Sequence, residues 1–323
     1  MTNLIEKIAI APMLDWSDRH YRYFMRQISQ HTTLYTEMVV ADAIIHGNRD
    51  KLLAFDPSEQ PLVLQLGGSD PAKLANVSKI AYNYGYREIN LNCGCPSERV
   101  QSGSFGACLM REPDLVADCI KAMQDAVAIP ITIKHRIGLD YAYDYAYLCQ
   151  FVAKISATGS SKIIVHARNA VLKGLSPKDN RQIPPLRYDM VYQLKQDFPE
   201  LAVMINGGIK TVAEIEQHLQ QVDSVMLGRE AYYNPYLFTD FDARYYDASQ
   251  VPLKTRKEIA LAMLPYLENL LSQGSKLHNA TRHMLGLYHG CQHAKLWRQQ
   301  LTTQLIKSND LNDYIKLVEY MQE

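Results

Sequence analysis

Eight short apolar segments alternate with longer amphipathic segments over roughly the first 230 residues, and this alternation constrains the fold more than any other feature. Apolar residues recur at helical spacing between the strands, for example at 70–84 and 112–127. The predicted strands are 8–14, 34–40, 61–67, 88–93, 130–135, 162–167, 202–207 and 224–228. Because the strands alternate with helices, we predict a closed parallel (β/α)8 barrel of the TIM type rather than an open sheet. No GxGxxG follows the first strand, which argues against a dinucleotide-binding Rossmann domain.

The strand pattern stops near residue 240, and residues 252–323 have the pattern of three or four helices. We therefore predict a catalytic barrel over residues 1–240 and a helical domain over residues 241–323. Inside the barrel, residues 168–187 form a connection that is too long for an ordinary βα loop. This insert is basic: Asp179 is its single acid, and its cations are Arg168, Lys173, Lys178, Arg181 and Arg187.

The overall charge of the chain is balanced, with 34 Lys and Arg residues against 34 Asp and Glu residues. Net charge therefore predicts neither a nucleic-acid partner nor a membrane, and any basic patch must be local. Six cysteines without framework spacing fit a reducing compartment. The amino terminus lacks the pattern of a signal peptide, and no apolar run approaches the ~18–20 residues that span a bilayer. We expect a cytoplasmic protein.

Polar or small residues end seven of the eight predicted strands, where aliphatic residues would be ordinary. They are Met13, Gln65, Asn92, Lys134, His166, the run Asn206, Gly207 and Gly208, and the pair Gly228 and Arg229. The carboxyl ends of barrel strands surround the catalytic mouth. One such residue is explained equally well as a polar group at a strand edge, but seven together predict a site.

The glycines after strands seven and eight occupy the usual phosphate site of such barrels, where backbone N–H groups and Arg229 could bind an anion. Simple turn chemistry is the alternative. Lys134 could place positive charge beside an electron-rich ring, and Gln65 could hydrogen-bond the edge of that ring. Lys134 and His166 are too few and too separated to predict a metal site. This layout suggests a flavin mononucleotide (FMN) with its phosphate at strands seven and eight.

The sequence NLNCGCP, residues 90–96, separates two thiols by strand alternation. Cys93 shares a face with Ile89 and Leu91, so we expect it to be a buried apolar residue beneath the helices. Asn92 faces the lumen, and Cys95 lies past the turn on the loop over the mouth. An ordinary thiol is largely protonated at neutral pH and no adjacent base is apparent, which favours a proton donor over a nucleophile. The role of Cys108 stays open.

Nine motifs occur in one order along the barrel. They are APMLDWSDRHYR, TEMV, LQLGG, NLNCGCP, GSFGACLM, IKHRIG, VHARNAVLKGLSPKDNR, NGGI and GREAYYNP. With these motifs the chain resembles the tRNA-dihydrouridine synthases, and most of all their A subfamily. The match runs from Ala11 to about Pro235 and continues in the helical domain at TRHMLGLYHG.

The resemblance implies an FMN enzyme that uses NADPH to reduce the C5–C6 bond of uridines in the tRNA D-loop. For the A subfamily it implies positions 20 and 20a. It also implies roles for individual residues: Cys95 as the proton donor to carbon 5 and Asn92 at the target base. The implied FMN contacts are Pro12, Met13, Leu14, Gln65, Lys134, His166, Asn206, Gly207, Gly208, Gly228 and Arg229.

A uridine that reacts in a barrel mouth must leave its stack, so the resemblance also implies base flipping. We expect basic residues of the insert and of the helical domain to contact the tRNA backbone. The candidates are Arg168, Lys178, Arg181, Lys295 and Arg298, of which Arg181 and Arg298 are expected to set the orientation of the tRNA. We expect a monomer without a metal ion.

Two other functions remain open from the residues alone. An FMN barrel that acts on a free pyrimidine-like metabolite would have a similar flavin site but no use for the basic insert or the helical domain. A non-catalytic RNA-binding module would not need Lys134, Cys95 and the two glycine motifs together.

Overall fold

The computed structural model describes residues 6–140, 144–248 and 252–321 of the chain. Eight parallel strands form one closed barrel in sequence order, which confirms the predicted (β/α)8 fold. The strands are β1 Ile8–Ile10, β2 Thr33–Val40, β3 Leu62–Gly67, β4 Ile89–Cys93, β5 Ile131–Arg136, β6 Lys162–His166, β7 Ala202–Asn206 and β8 Ser224–Leu227. β1 pairs with both β2 and β8, which closes the barrel.

The first strand is shorter than predicted, because it ends at Ile10 and Met13 lies in the following loop. That loop turns immediately: the Met13 carbonyl accepts hydrogen bonds from the backbone N–H groups of Trp16 and Ser17. The Met13 N–H in turn donates to Ser17 Oγ at 2.9 Å. The apolar run 8–14 therefore includes a tight turn that its hydropathy does not indicate.

Seventeen α-helices lie in the described part of the chain. Those that precede or accompany the barrel strands are α1 Arg19–Ile28, α2 Ala41–His46, α3 Arg49–Leu53, α4 Pro71–Asn83, α5 Glu98–Ser102, α6 Pro113–Ala126, α7 Tyr145–Ser156, α8 Tyr188–Asp197, α9 Val212–Leu219, α10 Arg229–Tyr233 and α11 Phe241–Tyr245. The later ones are α12 Arg256–Ala262, α13 Leu264–Ser272, α14 His278–Thr281, α15 Ala294–Gln299, α16 Leu305–Ser308 and α17 Leu311–Tyr320. Every helix in the described ranges is too short or too polar to cross a lipid bilayer.

Local sequence signals explain where the main helices begin. Asp70 caps α4 by accepting a hydrogen bond from the N–H of Lys73, and proline occupies the first position of the helix. Thr211 and Thr255 form capping boxes with the glutamates three residues later, at the starts of α9 and α12. These caps satisfy backbone N–H groups that have no partner inside a helix.

Two separate apolar cores support the barrel. The larger one lies between the strands and the surrounding helices and continues into the helical domain. The smaller one fills part of the lumen, and its buried residues are Ala9, Ala11, Tyr35, Val63, Ile164, Met204 and Met226. β4 and β5 contribute no residue to this lumen core. The apolar part of the lumen therefore lies beside β1, β2, β3, β6, β7 and β8, whereas the side chains that β4 and β5 direct into the lumen are polar.

The later helices group into four helical stretches, at 256–272, 277–289, 294–308 and 311–320, as the sequence pattern predicted. They pack against α1 of the barrel: His20 Nδ1 lies 2.7 Å from the Tyr266 hydroxyl, and the rings of Tyr23 and Tyr266 stack at 4.1 Å. Residues just after 240 contact the amino end of the barrel, because Asp242 accepts from Ser29 and Tyr246 bonds the backbone of Ile8. The domain boundary at residue 240 stays a prediction.

The long insert after β6 folds back along the barrel mouth. Its Ala170 forms an isolated parallel bridge with Leu139, which follows β5. Asn180 is fully buried, and its side chain bonds the backbone of Val171 in both directions. The insert is therefore an ordered part of the mouth.

Candidate functional site

Strand register brings the predicted site residues together at the carboxyl end of the barrel. Asn92 on β4 lies opposite Lys134 on β5, and Asn206 on β7 lies opposite His166 on β6. Arg136 on β5 also lies opposite His166. Side chains from four neighbouring strands thus share one edge of the lumen, as the polar strand ends predicted.

A chain of hydrogen bonds runs down the lumen from Asn92. Asn92 Nδ2 donates to Gln65 Oε1 at 2.8 Å, and Gln65 Nε2 donates to Asn90 Oδ1 at 2.8 Å. Asn90 Nδ2 then donates to Thr132 Oγ1 at 3.0 Å. We call these four side chains the amide chain. All four are buried, and two of them, Asn92 and Gln65, were predicted site residues.

The amide chain ends on a carboxylate near the amino end of the barrel. Thr132 Oγ1 donates to Glu88 Oε1 at 2.8 Å, and Lys162 Nζ lies 2.8 Å from the same oxygen. The ammonium of Lys162 also contacts Glu6. Burial lowers the pKa of Lys162, but the Glu6 and Glu88 carboxylates outweigh it and raise this pKa above its usual range, so the lysine stays charged. The carboxylate at the end of the chain therefore acts as a hydrogen-bond acceptor.

The direction of the amide chain follows from its two ends. At the top, Asn92 Oδ1 accepts from the backbone N–H groups of Gly94 and Cys95 at 3.1 and 3.0 Å. A backbone N–H can only donate, so the Asn92 nitrogen must face Gln65. At the bottom, Glu88 can only accept, so the Thr132 hydroxyl must donate to it. Both ends impose the same orientation on every amide between them.

Cys95 lies on the turn that Asn92 holds, half-buried over the mouth. The Cys95 carbonyl accepts a hydrogen bond from the N–H of Ala107 at 2.9 Å. Gly106 has φ +78°, and a Cβ there would lie 2.7 Å from the Cys95 carbonyl oxygen. The loop therefore needs glycine at 106 for a close approach, whereas Gly103 has an ordinary negative φ at the end of α5.

Cys93 is fully buried on the opposite face of β4, as strand alternation predicted. Burial, with the nearby thiols of Cys119 and Cys108, raises the pKa of Cys93 well above its ordinary value. Cys108 is partly buried, and its thiol contacts the carbonyl of Phe105 at 3.1 Å. Burial raises the pKa of Cys108 as well. Both residues are packed thiols with little thiolate character.

Positive charge dominates the mouth. Burial, then the charge of Arg136, lowers the pKa of Lys134 to about 7, although its Nζ lies 2.9 Å from Asn206 Oδ1. Burial and the neighbouring cations hold the pKa of His166 well below its usual range, so its ring is neutral. His166 Nδ1 is buried without a hydrogen-bond partner among the described residues. This site favours an anionic or hydrogen-bonding group beside Lys134 and His166.

Arg136 is a residue of the mouth that was not among the predicted site residues. It is buried, and its guanidinium bonds three backbone carbonyls: Gly94 at 3.1 Å, Asn169 at 3.1 Å and Asn180 at 3.0 Å. It therefore ties the Cys95 turn to the insert. The signal in the sequence is alternation, because Thr132, Lys134 and Arg136 lie on one face of β5.

The glycines after β7 adopt conformations that other residues rarely reach. Gly207 has φ +123° and Gly208 has φ +78°, and the Tyr188 hydroxyl donates to the Gly207 carbonyl at 2.6 Å. A Cβ on Gly208 would lie 2.7 Å from a methyl carbon of Leu186. Arg229 is partly exposed, and its guanidinium donates to the carbonyl of Arg181 in the insert at 3.2 Å. The turn follows β7 and Arg229 follows the neighbouring strand β8, which is the region where a phosphate was predicted.

The three predicted FMN contacts in the loop after β1 differ in their exposure. Pro12 and Met13 are partly buried, and Met13 packs against the lumen core. Leu14 is 71% exposed. Asp15 has φ +64° and donates its N–H to Glu37 on β2 at 2.6 Å. Met13 therefore lies against the lumen, whereas Leu14 faces solvent.

The predicted tRNA contacts divide into two groups. Arg168 is partly buried and donates to the carbonyls of Gln182 and Pro184, so it holds the insert together. Lys178 and Arg181 of the insert are exposed, as are Lys295 and Arg298 on α15. The last two lie three residues apart on one helix face. These four remain candidate contacts to a phosphate backbone.

The residues at the mouth fit an FMN. A buried His166 nitrogen without a partner, the lysine ammonium next to it and the turn at Gly207 and Gly208 offer contacts for a ring and a phosphate. Gln65 has both ends of its amide engaged in the amide chain, but each end keeps one further hydrogen-bonding position. Among the described residues, no group of three or more His, Cys, Asp or Glu side chains is arranged to hold a metal ion.

Comparison with known proteins gives one family. The family model described as "Dihydrouridine synthase (Dus)" matches residues 9–319, which includes the barrel and nearly all of the later helices.

Three curated relatives carry the same name, "tRNA-dihydrouridine(20/20a) synthase". The chain is 58% identical to the relative from Haemophilus ducreyi, over 93% of this chain and 92% of the relative. It is 53% identical to the relative from Escherichia coli O6:H1, over 97% and 95% of the two chains. It is 51% identical to the relative from Pseudomonas aeruginosa, over 95% and 92%.

Proposed function

Because the chain belongs to the dihydrouridine synthase family, we propose that it reduces the C5–C6 double bond of uridine in the tRNA D-loop to 5,6-dihydrouridine. Positions 20 and 20a are the proposed targets, since the relatives at 51–58% identity bear these positions in their names. The observation that carries the proposal is the half-buried thiol of Cys95 above a mouth that offers positive charge and an unpartnered histidine nitrogen.

FMN bound at the mouth would supply the hydride for carbon 6 of the uracil. Its ring and ribityl chain would lie along Pro12, Met13, Gln65, Lys134 and His166. Its phosphate would bind at Asn206, Gly207, Gly208, Gly228 and Arg229. Burial lowers the pKa of Lys134 to about 7, and an electron-rich ring beside it would favour its charged form. The left-handed turn leaves room for phosphate oxygens near the backbone.

Cys95 would donate the proton to carbon 5. Hydride addition at carbon 6 leaves negative charge on the uracil, and the thiol proton neutralises it. The thiolate that remains then takes a proton from solvent, so atoms and charge balance. The bond from Cys95 N–H to Asn92 Oδ1 supports this role, because it holds the turn that carries the thiol. Asn92 Nδ2 keeps one hydrogen that could reach the target base.

NADPH is the proposed reductant, and a cytoplasmic monomer is the proposed form of the enzyme. The balanced charge of the chain agrees with tRNA binding through local basic residues. Those residues are Lys178, Arg181, Lys295 and Arg298, with Arg168 holding the insert in position.

An anaerobic reaction tests the proposal. The bound flavin is reduced with NADPH and mixed with tRNA that lacks dihydrouridine, and its reoxidation is followed for wild type and for Cys95→Ala. We expect fast reoxidation by tRNA but not by free uridine, and a rate lower by about 100-fold or more in the variant. Cys108→Ala is the matched control and should react at the wild-type rate.

Other outcomes would assign the site differently. Reoxidation by free pyrimidines as fast as by tRNA would favour the metabolite reductase. A protein that purifies without flavin and binds tRNA without reducing it would favour the RNA-binding module. Equal rates for wild type and Cys95→Ala would remove Cys95 as the proton donor.

A further inference from the structure

We propose that Tyr233 at the rim of the mouth is a stacking site for an unpaired nucleobase of the D-loop next to the reacting uridine. This inference rests on the proposed function, because it assumes that tRNA is the substrate. Tyr233 is the last residue of α10, and its side chain is 54% exposed. Its hydroxyl makes no hydrogen bond to any residue in the described ranges.

The ring of Tyr233 is supported from behind. Trp16 contacts it edge-on, with ring centroids 5.3 Å apart and an interplanar angle of 71°. Trp16 itself stacks on Tyr232 at 4.3 Å and 18°. The Tyr232 hydroxyl lies 3.1 Å from Nδ1 of the fully buried His283 in the helical domain. An exposed aromatic ring that is held this firmly loses little side-chain entropy when a ligand covers it.

The backbone of Tyr233 also contacts the helical domain. A Cβ added at Gly286 of the helical domain would lie 2.5 Å from the Tyr233 carbonyl oxygen and 2.8 Å from that of Tyr232. The helical domain therefore touches the backbone of α10 directly. This contact fixes Tyr233 at the junction between the barrel mouth and the helical domain.

The insert approaches α10 at Arg181. The Arg181 carbonyl accepts a hydrogen bond at 3.2 Å from the guanidinium of Arg229, the first residue of α10. Tyr233 lies four residues after Arg229 on α10, which is the spacing of one helix face. A nucleotide beside the target uridine would lie within this region.

The chemistry of the rim favours a nucleobase as the occupant. The ring offers a flat apolar face, and Arg181 of the insert, whose carbonyl bonds Arg229 on α10, is an exposed cation that complements an RNA phosphate. Single-stranded RNA is bound by this pairing of an aromatic face with arginine. A uridine that leaves its stack exposes the faces of its neighbours, and Tyr233 can replace one of the lost stacking partners.

Alanine and phenylalanine variants separate stacking from other roles. Tyr233→Ala should weaken tRNA binding by about 5- to 150-fold, and Tyr233→Phe should bind like wild type, because stacking needs the ring and not the hydroxyl. Tyr82→Ala is the matched control, since Tyr82 is 43% exposed on α4 away from the mouth. The rate of flavin reduction by NADPH should be unchanged in all three variants, and only Tyr233→Ala should lower the melting temperature slightly, because it removes the ring contact with Trp16.

Transcripts with a single abasic nucleotide in the D-loop identify the partner base. At the contacted position, removal of the base should weaken tRNA binding by wild type by about the same factor as Tyr233→Ala does with intact tRNA. The Tyr233→Ala variant should bind the abasic and the intact transcript equally well. Full additivity at every D-loop position would overturn the stacking site, and so would a Tyr233→Ala variant that binds like wild type. If wild type binds tRNA but forms no dihydrouridine, the proposed function fails, and the binding measurements still decide whether Tyr233 stacks.

Discussion

At the scale of single residues, the orientation of the mouth is set partly from the other end of the barrel. Glu88 and Lys162 lie near the amino end of the barrel. Because Glu88 accepts a hydrogen bond from Thr132, every hydrogen bond of the amide chain runs in the same direction, up to Gln65 and Asn92. Asn92 presents its oxygen to the Cys95 turn. The orientation of the Gln65 amide is fixed, and with it the hydrogen-bonding positions that Gln65 offers to the mouth. The carboxylate is a positioning residue in this arrangement.

Thr132 is the link where this arrangement can be broken with least change of shape. Thr132→Val removes the hydroxyl, so Asn90 Nδ2 loses its acceptor in a buried site, and we expect a loss of about 1–3 kcal/mol in the free energy of unfolding. Asn92 alone then orients the Gln65 amide, and this weaker restraint should shift the reduction potential of the bound flavin. Urea unfolding and a potential titration measure the two effects.

Thr132→Ser is the control for that experiment, because it keeps the hydroxyl and removes one methyl group. It should restore the flavin potential to that of wild type. If the valine and serine variants have the same potential, the hydroxyl does not orient the amides, and the proposed role of Glu88 is wrong.

At the scale of elements, α1 joins the barrel to the helical domain through its cap. Asp18 Oδ1 accepts from the N–H groups of His20 and Tyr21 at the start of the helix. Its other oxygen lies 2.6 Å from an Arg282 nitrogen and 3.1 Å from His283 Nε2. Burial opposes ionisation, but the hydrogen bond and charge of His283 and the Tyr21 N–H lower the pKa of Asp18 well below its usual range.

Asp18→Asn separates the two roles of this residue, because asparagine is an equally good helix cap but carries no charge. We expect it to lower the free energy of unfolding by about 1–3 kcal/mol at pH 7. The lowered pKa means that the wild-type contribution is complete above pH ~4 and is lost as the pH falls below that value. The difference between wild type and variant should therefore shrink between about pH 4 and pH 2.

Asp70→Asn is the matched control for the cap. Asp70 accepts a hydrogen bond from the N–H of Lys73 at the start of α4 but makes no described contact with the helical domain. Its substitution should change the free energy of unfolding by a few tenths of a kcal/mol at most. Equal losses in the two variants would show that Asp18 acts only as a cap.

At the scale of the whole molecule, the two predicted tRNA-binding surfaces are the insert and α15. The double variant Lys295→Gln with Arg298→Gln removes two exposed cations from α15. If both contact phosphates, the tRNA dissociation constant should rise, and the slope of its logarithm against log salt concentration should fall by about two. Binding measured between low and moderate salt checks both changes.

The control for this surface lies on the outer helices of the barrel. Lys79 on α4 and Lys121 on α6 are exposed, and the double variant with glutamine at both positions makes the same change in net charge. It should leave the salt slope unaltered. Equal slopes for the α15 variant and wild type would mean that tRNA does not contact α15.

The sequence by itself determined the repeating architecture and most of the mouth. Strand and helix periodicity are local, so all eight strands and the helices at 71–83 and 113–126 could be predicted from the chain alone. Strand alternation also separated Cys93, which is buried, from Cys95, which lies over the mouth. Parallel strands end at one edge, and this explains why polar strand ends predicted a common site.

Only the tertiary structure decided which polar groups meet. Arg136 bonds carbonyls of the Cys95 turn and of the insert, which are far apart in sequence. Glu88 is connected to the mouth only through side chains of β5, β4 and β3. Arg168, a candidate tRNA contact, also donates to carbonyls of its own insert, and Trp16 contacts Tyr233 across more than two hundred residues. Such contacts depend on strand register and on the packing of loops. Periodicity does not predict them, because the two partners are close in the folded structure but distant in the sequence.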